Sequence, residues 1–311
     1  MMVGDLEQIE QWCLGVPAKN GEAKRQAVIE EGALDRMLKP RREGDMLLLP
    51  LTDWREGAER CLFDPNPERI ALPRHDLVGG IAVMQEPDPA GAARILASRP
   101  SLHTVLFATS DVEGEYRTRR FEVLAGTPTT RTECIEYGHR FTIDLSAAYF
   151  SARLATERQR IVSLVGKDEV VLDMFAGVGP FAIYLADHAA LVVACDINPH
   201  AIALMLENIT RNRTLTVLPV LADVRWIPEI IPWEFDRIVM NLPLKGAEFL
   251  PLAFRLIRKG GTIHFYTLVS QVGEHVRHIT GLGGEIVAEH MVRSYSAARW
   301  HAVYDIIKKS E

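Results

Sequence analysis

The stretch Asp173-Met-Phe-Ala-Gly177-Val-Gly179-Pro180 decides the fold of this chain. It follows the short apolar run Val170-Val-Leu and precedes a helical pattern over 181–186. Glycines at such a junction let the chain turn tightly and let a ligand approach the backbone closely. Asp196, in Cys-Asp196-Ile197-Asn-Pro, ends the next apolar run about 20 residues on, where an acidic side chain takes both hydroxyls of a ribose. A third acid, Asp223, followed by Val224, stands just past the run 217–221 and is placed to meet an adenine amino group. The loop lacks the Lys-Ser/Thr of a P-loop and the third glycine of the dinucleotide fingerprint. An adenosine cofactor without phosphate, S-adenosylmethionine, therefore fits better than NAD or a nucleotide.

Around this loop the sequence repeats strand and helix. The runs 170–173, 191–195, 217–221, 237–240 and 262–266 are short and mainly apolar, as buried parallel strands are when both faces are covered. Two last runs, 285–291 and 301–307, are expected to form an antiparallel hairpin at the sheet edge. The expected class is α/β, a Rossmann-like domain over 149–311 preceded by two smaller α+β domains. The first, 1–66, carries a helix over 21–38 and a strand over 46–49. A Pro- and charge-rich link (Asp64-Pro-Asn-Pro-Glu-Arg) leads to the second, 67–148, with strands at 81–84, 104–107, 121–124 and 140–145 and a helix at 90–98.

At the carboxyl end of the fourth run stands Asn241-Leu-Pro243. Ligands bind beyond the carboxyl ends of strands in such sheets, so Asn241 points to the site mouth and its amide suits a planar nitrogen heterocycle. In Tyr149-Phe-Ser-Ala-Arg153-Leu-Ala-Thr-Glu157-Arg158-Gln-Arg-Ile-Val, helical spacing puts Leu154, Ile161 and Val162 on one face. Glu157 and Arg158 flank that stripe. Two charges on a packed side are either an internal ion pair or are employed at a site.

Composition sets bounds. The 311 residues are 48% hydrophobic, yet no run approaches the roughly 20 apolar residues of a membrane span. The amino terminus has neither the basic start nor the apolar core of a signal peptide, so a cytoplasmic location is expected. A net charge of −6 argues against nonspecific nucleic-acid binding, and Lys39-Pro-Arg41-Arg42 and Arg117-x-Arg119-Arg120 read as solvated faces. Cys13, Cys61, Cys134 and Cys195 lie far apart and read as buried free thiols. No metal site is expected, and His275 and His278 read as solvated helix residues.

These motifs, with Gly114-Glu-Tyr-Arg117, Glu136-Tyr-Gly-x-Arg-Phe-x-Ile-Asp144 and Gly44-Asp-x-Leu-Leu-Leu-Pro50, resemble the archaeal and eukaryotic tRNA (guanine-37 N1)-methyltransferases over nearly the whole chain. Ala152 departs from the proline usual in that family. The resemblance implies a class I methyltransferase domain and S-adenosylmethionine, with tRNA as partner. The first domain would touch the outer corner of tRNA and the middle one the anticodon stem. It also implies Glu157 as general base, Arg117 (or Arg119) beside the guanine O6, and Asn241 to Pro243 seating the base. Tyr149, Arg158, Phe175, Gly177, Asp196, Ile197, Asp223, Val224 and Asn241 form the expected cofactor set. No obligate protein partner is expected, and the chain is read as a monomer. The alternative is the related aminocarboxypropyl transferase of wybutosine synthesis. A non-enzymatic RNA-binding module has no need of Glu157 and Asn241 at a cofactor mouth.

Overall fold

The structure is a computed structural model that describes residues 8–66, 72–296 and 298–309. The described residues form two compact units, one from those up to Arg74 with Ala97–Pro100, the other from those in His75–Leu96 and Ser101–Glu311. Part of the link expected after Asp64 lies outside the described residues.

The first unit is an antiparallel sheet of order β2-β3-β1-β4, built from β1 (Ile9–Pro17), β2 (Arg41–Glu43), β3 (Met46–Leu51) and β4 (Glu59–Phe63), with α1 (Gly21–Glu30) against it. The helix expected over 21–38 stops eight residues early. Gly32 takes φ +69, and the amides of Gly32 and Ala33 return to the carbonyls of Ile29 and Val28. This left-handed stop satisfies the last carbonyls of the helix. Beyond it, Leu34 and Leu38 bridge to Leu51 and Pro65. The expectation of four free thiols is corrected here: Cys13 and Cys61 are joined in a disulfide, while Cys134 and Cys195 are buried and free. Cys13 and Cys61 lie on neighbouring strands in offset register, a proximity no linear spacing shows.

The second unit begins with a four-stranded sheet, β5 (His75–Val78), β6 (Ile81–Met84), β7 (Thr104–Ala108) and β8 (Phe121–Gly126), with α2 (Pro89–Ser98) linking β6 to its parallel neighbour β7. A hairpin follows, β9 (Arg131–Glu136) and β10 (His139–Asp144). Then comes α3 (Ala155–Val162) and a seven-stranded sheet: β11 (Val170–Asp173), β12 (Leu191–Asp196), β13 (Val217–Leu221), β14 (Phe235–Asn241), β15 (Ile257–Val269), β16 (Gly284–Ser296) and β17 (Arg299–Lys308). Helices α4 (Pro180–Leu185), α5 (Pro199–Asn212), α6 (Ile227–Ile230), α7 (Leu250–Leu256) and α8 (Val276–Gly281) fill the connections.

The sheet order is β13-β12-β11-β14-β15-β17-β16, with β17 antiparallel to both of its neighbours. Successive residues explain why these strands read as continuously apolar. Val171, Val192 and Val239 join one buried cluster, while their neighbours Leu172, Val193 and Ile238 join another on the opposite face. Order reverses between β11 and β14, the place where a doubly wound sheet opens a crevice for ligands.

The β9–β10 hairpin packs on α5. Asn208, fully buried, accepts from the Thr142 amide at 2.6 Å and donates to the carbonyls of Thr142 (3.1 Å) and Val178 (3.0 Å). One amide thus fastens the hairpin to both α5 and the glycine loop, its hydrogen-bonding capacity well used.

Candidate active site

A cavity of about 790 Å³ opens at the carboxyl ends of β11, β12, β13 and β14. Its floor is the glycine loop. Gly179 holds φ +85 and Gly177 φ +57, a conformation that favours glycine. A Cβ at Gly179 would sit 2.7 Å from the Met205 side chain, so this glycine is also required for packing. Pro180 then begins α4 with φ already suited to a helix.

The Asp196-Ile-Asn-Pro motif has a local mechanical explanation. The Asn198 amide donates to Asp196 Oδ1 at 2.9 Å, Asn198 Oδ1 caps the His200 amide at 3.0 Å, and Pro199 starts α5. Asp196 Oδ2 accepts from the Gly177 amide at 2.7 Å. Each carboxylate oxygen therefore keeps a lone pair beyond its backbone bond, and Asp196 lines the cavity. Burial raises its pKa, against the opposing backbone amides. Tyr149, Phe175, Ile197, Asp223 and Val224 line the same cavity. Phe175 meets the edge of Phe249, with ring centroids 5.1 Å apart. Asp223 caps the turn after β13 through the Arg225 amide (2.9 Å), and its carboxylate is ion-paired with the Arg225 side chain.

The charges flanking the α3 stripe are both paired. Arg158, 1% exposed, meets Glu136 at 2.5 Å and the Ser151 carbonyl at 3.3 Å, and its guanidinium lies near the rings of Phe150, Phe181 and Tyr184. It lines the cavity as a fixed strut. Glu157, buried, does not line the cavity. Its Oε1 accepts from Tyr266 Oη at 2.7 Å, and Arg160 grips both oxygens, with Nη2 at 2.7 Å and Nε at 2.9 and 3.1 Å. Arg160 also holds Asp305 at 2.6 Å. Asp305 meets His264 Nδ1 at 2.6 Å, His264 Nε2 lies 2.7 Å from Arg237, and Arg237 pairs with Glu169 at 2.6 Å. Burial opposes ionisation of Asp305, but His264 and Arg160 outweigh it and hold the carboxyl below the usual range. A continuous polar network thus runs from Glu157 through Arg160 and across β17, β15 and β14 to Glu169. The turn before α3 forms with Ala152 in it, so proline is not required there.

Arg117 and Asn241 reach the cavity, and both also line a recess of about 20 Å³ beside it, as does Pro243. Pro243 is absent from the main cavity wall. Arg117 has φ +54, lies 5.2 Å above the Tyr149 ring, and its pKa is lowered by burial. Arg117 Nε and Asn241 Oδ1 are buried without a hydrogen-bond partner among the described residues. Sequence reading quoted Asp173 at the head of the loop motif but gave it no site role; it is fully buried and pushed up to about 7 by burial, with the Asp196 charge adding. The same reading missed Arg160, although the Glu157–Arg160 spacing is that of a helical ion pair. Lys245, Glu248 and Phe249, at the cavity wall, carry no local sequence signal.

Similarity to known proteins follows this geometry. Residues 132–283 match the TRM5/TYW2 methyltransferase domain, and residues 13–59 match the tRNA methyltransferase 5 N-terminal domain. The tRNA (guanine(37)-N(1))-methyltransferase Trm5b of Pyrococcus abyssi is 38% identical over 93% of this chain and 97% of its own length. The chain belongs to the Trm5 family. The crystal structure of P. abyssi Trm5b superposes with a TM-score of 0.76 at 36% identity, covering 96% of this chain and all of that one. The complex of aTrm5 with tRNALeu gives 0.76 at 30% identity, covering 95% and 99%. The tRNA(Phe) (4-demethylwyosine(37)-C(7)) aminocarboxypropyltransferase of Methanocaldococcus jannaschii is 30% identical over 75% of this chain and 96% of its own length. As a Trm5-family protein the chain is an α/β enzyme that uses S-adenosylmethionine. The cavity fits that cofactor: a half-buried carboxylate with free lone pairs, a glycine-lined floor and largely apolar walls, with no lysine on the loop to bind phosphate. No helix among the described residues is long and apolar enough to cross a membrane.

Proposed function

We propose that this Trm5-family enzyme methylates N1 of guanine 37 in the anticodon loop of tRNA. One observation carries the reading: the cofactor loop, Arg117 and Asn241 meet at one cavity, and the latter two bring buried polar atoms that lack protein partners. Asp196 takes the ribose, Asp223 the adenine amino group, and Tyr149, Phe175, Gly177, Ile197 and Val224 form the remaining walls. Arg158 acts by fixing the wall through Glu136, and Asn241 faces both cofactor and base. S-adenosylmethionine supplies a methyl group on a sulfonium, ready for in-line attack.

Guanine N1 carries a proton at neutral pH and is a poor nucleophile until that proton leaves. Glu157 accepts it, and to do so its carboxylate must leave Arg160 and Tyr266 and turn into the cavity, whose wall it does not form in this structure; Arg160 keeps Asp305 as partner meanwhile. As N1 loses its proton, negative charge grows on O6. Arg117, a cation held in a desolvated place, gains most from that charge in the transition state. The Asn241 amide and Pro243 hold the base, which leaves its stack in the loop to enter the cavity.

The reading extends to the partner. The first domain would contact the outer corner of tRNA and the middle domain the anticodon stem, with boundaries near 66 and 148 and the β9–β10 hairpin moving with the catalytic sheet. A cytoplasmic monomer is the corresponding state. The aminocarboxypropyl alternative is disfavoured by the Trm5 N-terminal match over 13–59. Transcripts with G37 or A37, incubated with methyl-labelled cofactor, test the reading: label should enter only the G37 transcript, and equal labelling would overturn it.

Asp196→Ala should weaken S-adenosylmethionine binding by about 10- to 100-fold, as loss of a charged hydrogen-bonding group does. Calorimetry showing unchanged affinity would remove Asp196 from the ribose site.

A further inference from the structure

The recess beside the main cavity is unusual in what lines it. Besides Arg117 and Asn241 it takes Arg293 from β16 and His301 from β17. Arg293 Nε and both ring nitrogens of His301 are buried with no hydrogen-bond partner among the described residues. His301 is only 2% exposed. Unpaired buried donors and acceptors are uncommon because each forfeits its hydration, and three of the five such atoms around this recess are N–H donors (Arg117 Nε, Arg293 Nε and one nitrogen of a neutral His301), which call for an acceptor group.

The size of the recess limits that group. About 20 Å³ holds one water-sized group, far less than a whole base. Its charge selects further. Two guanidiniums face the space, and His301 is held neutral: burial, then the charges of Arg293 and Arg117, push its pKa down to about 4. A neutral imidazole still has one N–H to donate. The titratable groups around the recess are Arg117, Tyr149, Arg293, Tyr295 and His301, while β15 contributes only Leu268. Three donors around a water-sized space suit a single oxygen that gains negative charge.

We infer that Arg293 and His301 complete, with Arg117, an oxyanion pocket for the exocyclic oxygen of the target guanine. The inference rests on the proposed N1 methylation and adds two residues to it. While the base lies in the main cavity, O6 enters the recess. Arg293 Nε–H and the His301 N–H donate to it as N1 loses its proton to Glu157. The His301 ring on β17 lies 5.7 Å from that of Tyr266 on the adjoining β15, whose hydroxyl holds Glu157 of α3, so one tyrosine separates the acceptor of the proton from a donor to O6.

Single-turnover methyl transfer to a G37 transcript, measured from mildly acid to alkaline pH, tests this. Arg293→Gln should slow transfer by about 10²- to 10³-fold at neutral pH, as loss of one oxyanion donor does. The deficit should shrink towards alkaline pH, where guanine N1 ionises with less help. His301→Phe should show the same pH-dependent recovery from a smaller deficit. S-adenosylmethionine affinity and thermal unfolding report whether each variant is folded. A deficit independent of pH would overturn the inference, because a merely structural role gives that result. So would weaker tRNA binding with an unchanged saturating rate, the signature of a phosphate contact. A wild-type chain that fails to methylate G37 would instead remove the proposed function, and this inference with it.

Discussion

Glu157→Gln should slow methyl transfer by about 10²- to 10⁴-fold, the usual contribution of a positioned general base. The substitution keeps the volume and leaves the side-chain amide able to accept from Tyr266 and Arg160, but it cannot take a proton from N1. Cofactor affinity should change little, since Glu157 lies outside the cavity wall. Single-turnover rates under saturating tRNA, with cofactor affinity by calorimetry, separate the two effects. Unchanged turnover would remove Glu157 from the role of base and leave it a purely structural partner of Arg160.

The second large effect concerns stability. Arg158 and Glu136 are both buried, 1% and 6% exposed at their side chains. Glu136→Leu leaves the guanidinium with the Ser151 carbonyl and its aromatic neighbours but no counter-charge, and a buried charge that has lost its partner destabilises a fold by about 3–5 kcal/mol. Adding Arg158→Met should recover much of that loss, because an apolar pair of similar volume needs no desolvated charge. Denaturant unfolding of the single and double variants measures both steps. A single variant within about 1 kcal/mol of wild type, as for an exposed pair, would show that the pair is not desolvated in solution.

The two variants also mark where sequence reading ends. That Glu157 and Arg158 flank an apolar stripe follows from helical spacing alone. Their partners do not. Glu136 arrives from β9 to meet Arg158 and Tyr266 from β15 to meet Glu157, while Asp305 of β17 holds Arg160, and only the folded sheet brings them together. The central strands were legible because each is apolar on both faces, and the cofactor loop because glycine, aspartate and proline each meet a local backbone need. The first unit was less so. In α1 the apolar spacing continues past the helix end, through Ala33, Leu34 and Leu38, while those residues serve bridges and core beyond Gly32. In β1 and β4, Glu10, Gln11, Glu59 and Arg60 break the apolar pattern, which hid both strands and the Cys13–Cys61 bond between them. That Arg293 and His301 line the recess could not be read from the sequence, because it depends on β16 and β17 folding back beside Asn241 and Pro243.

The central claim is the transfer of a methyl group to one atom of one nucleotide. Nuclease digestion of a reacted G37 transcript, followed by mass spectrometry of the modified nucleoside, tests it most directly. The predicted product is guanosine at position 37 carrying a single methyl group on N1. An aminocarboxypropyl group, or a methyl group at another atom or position, would contradict it.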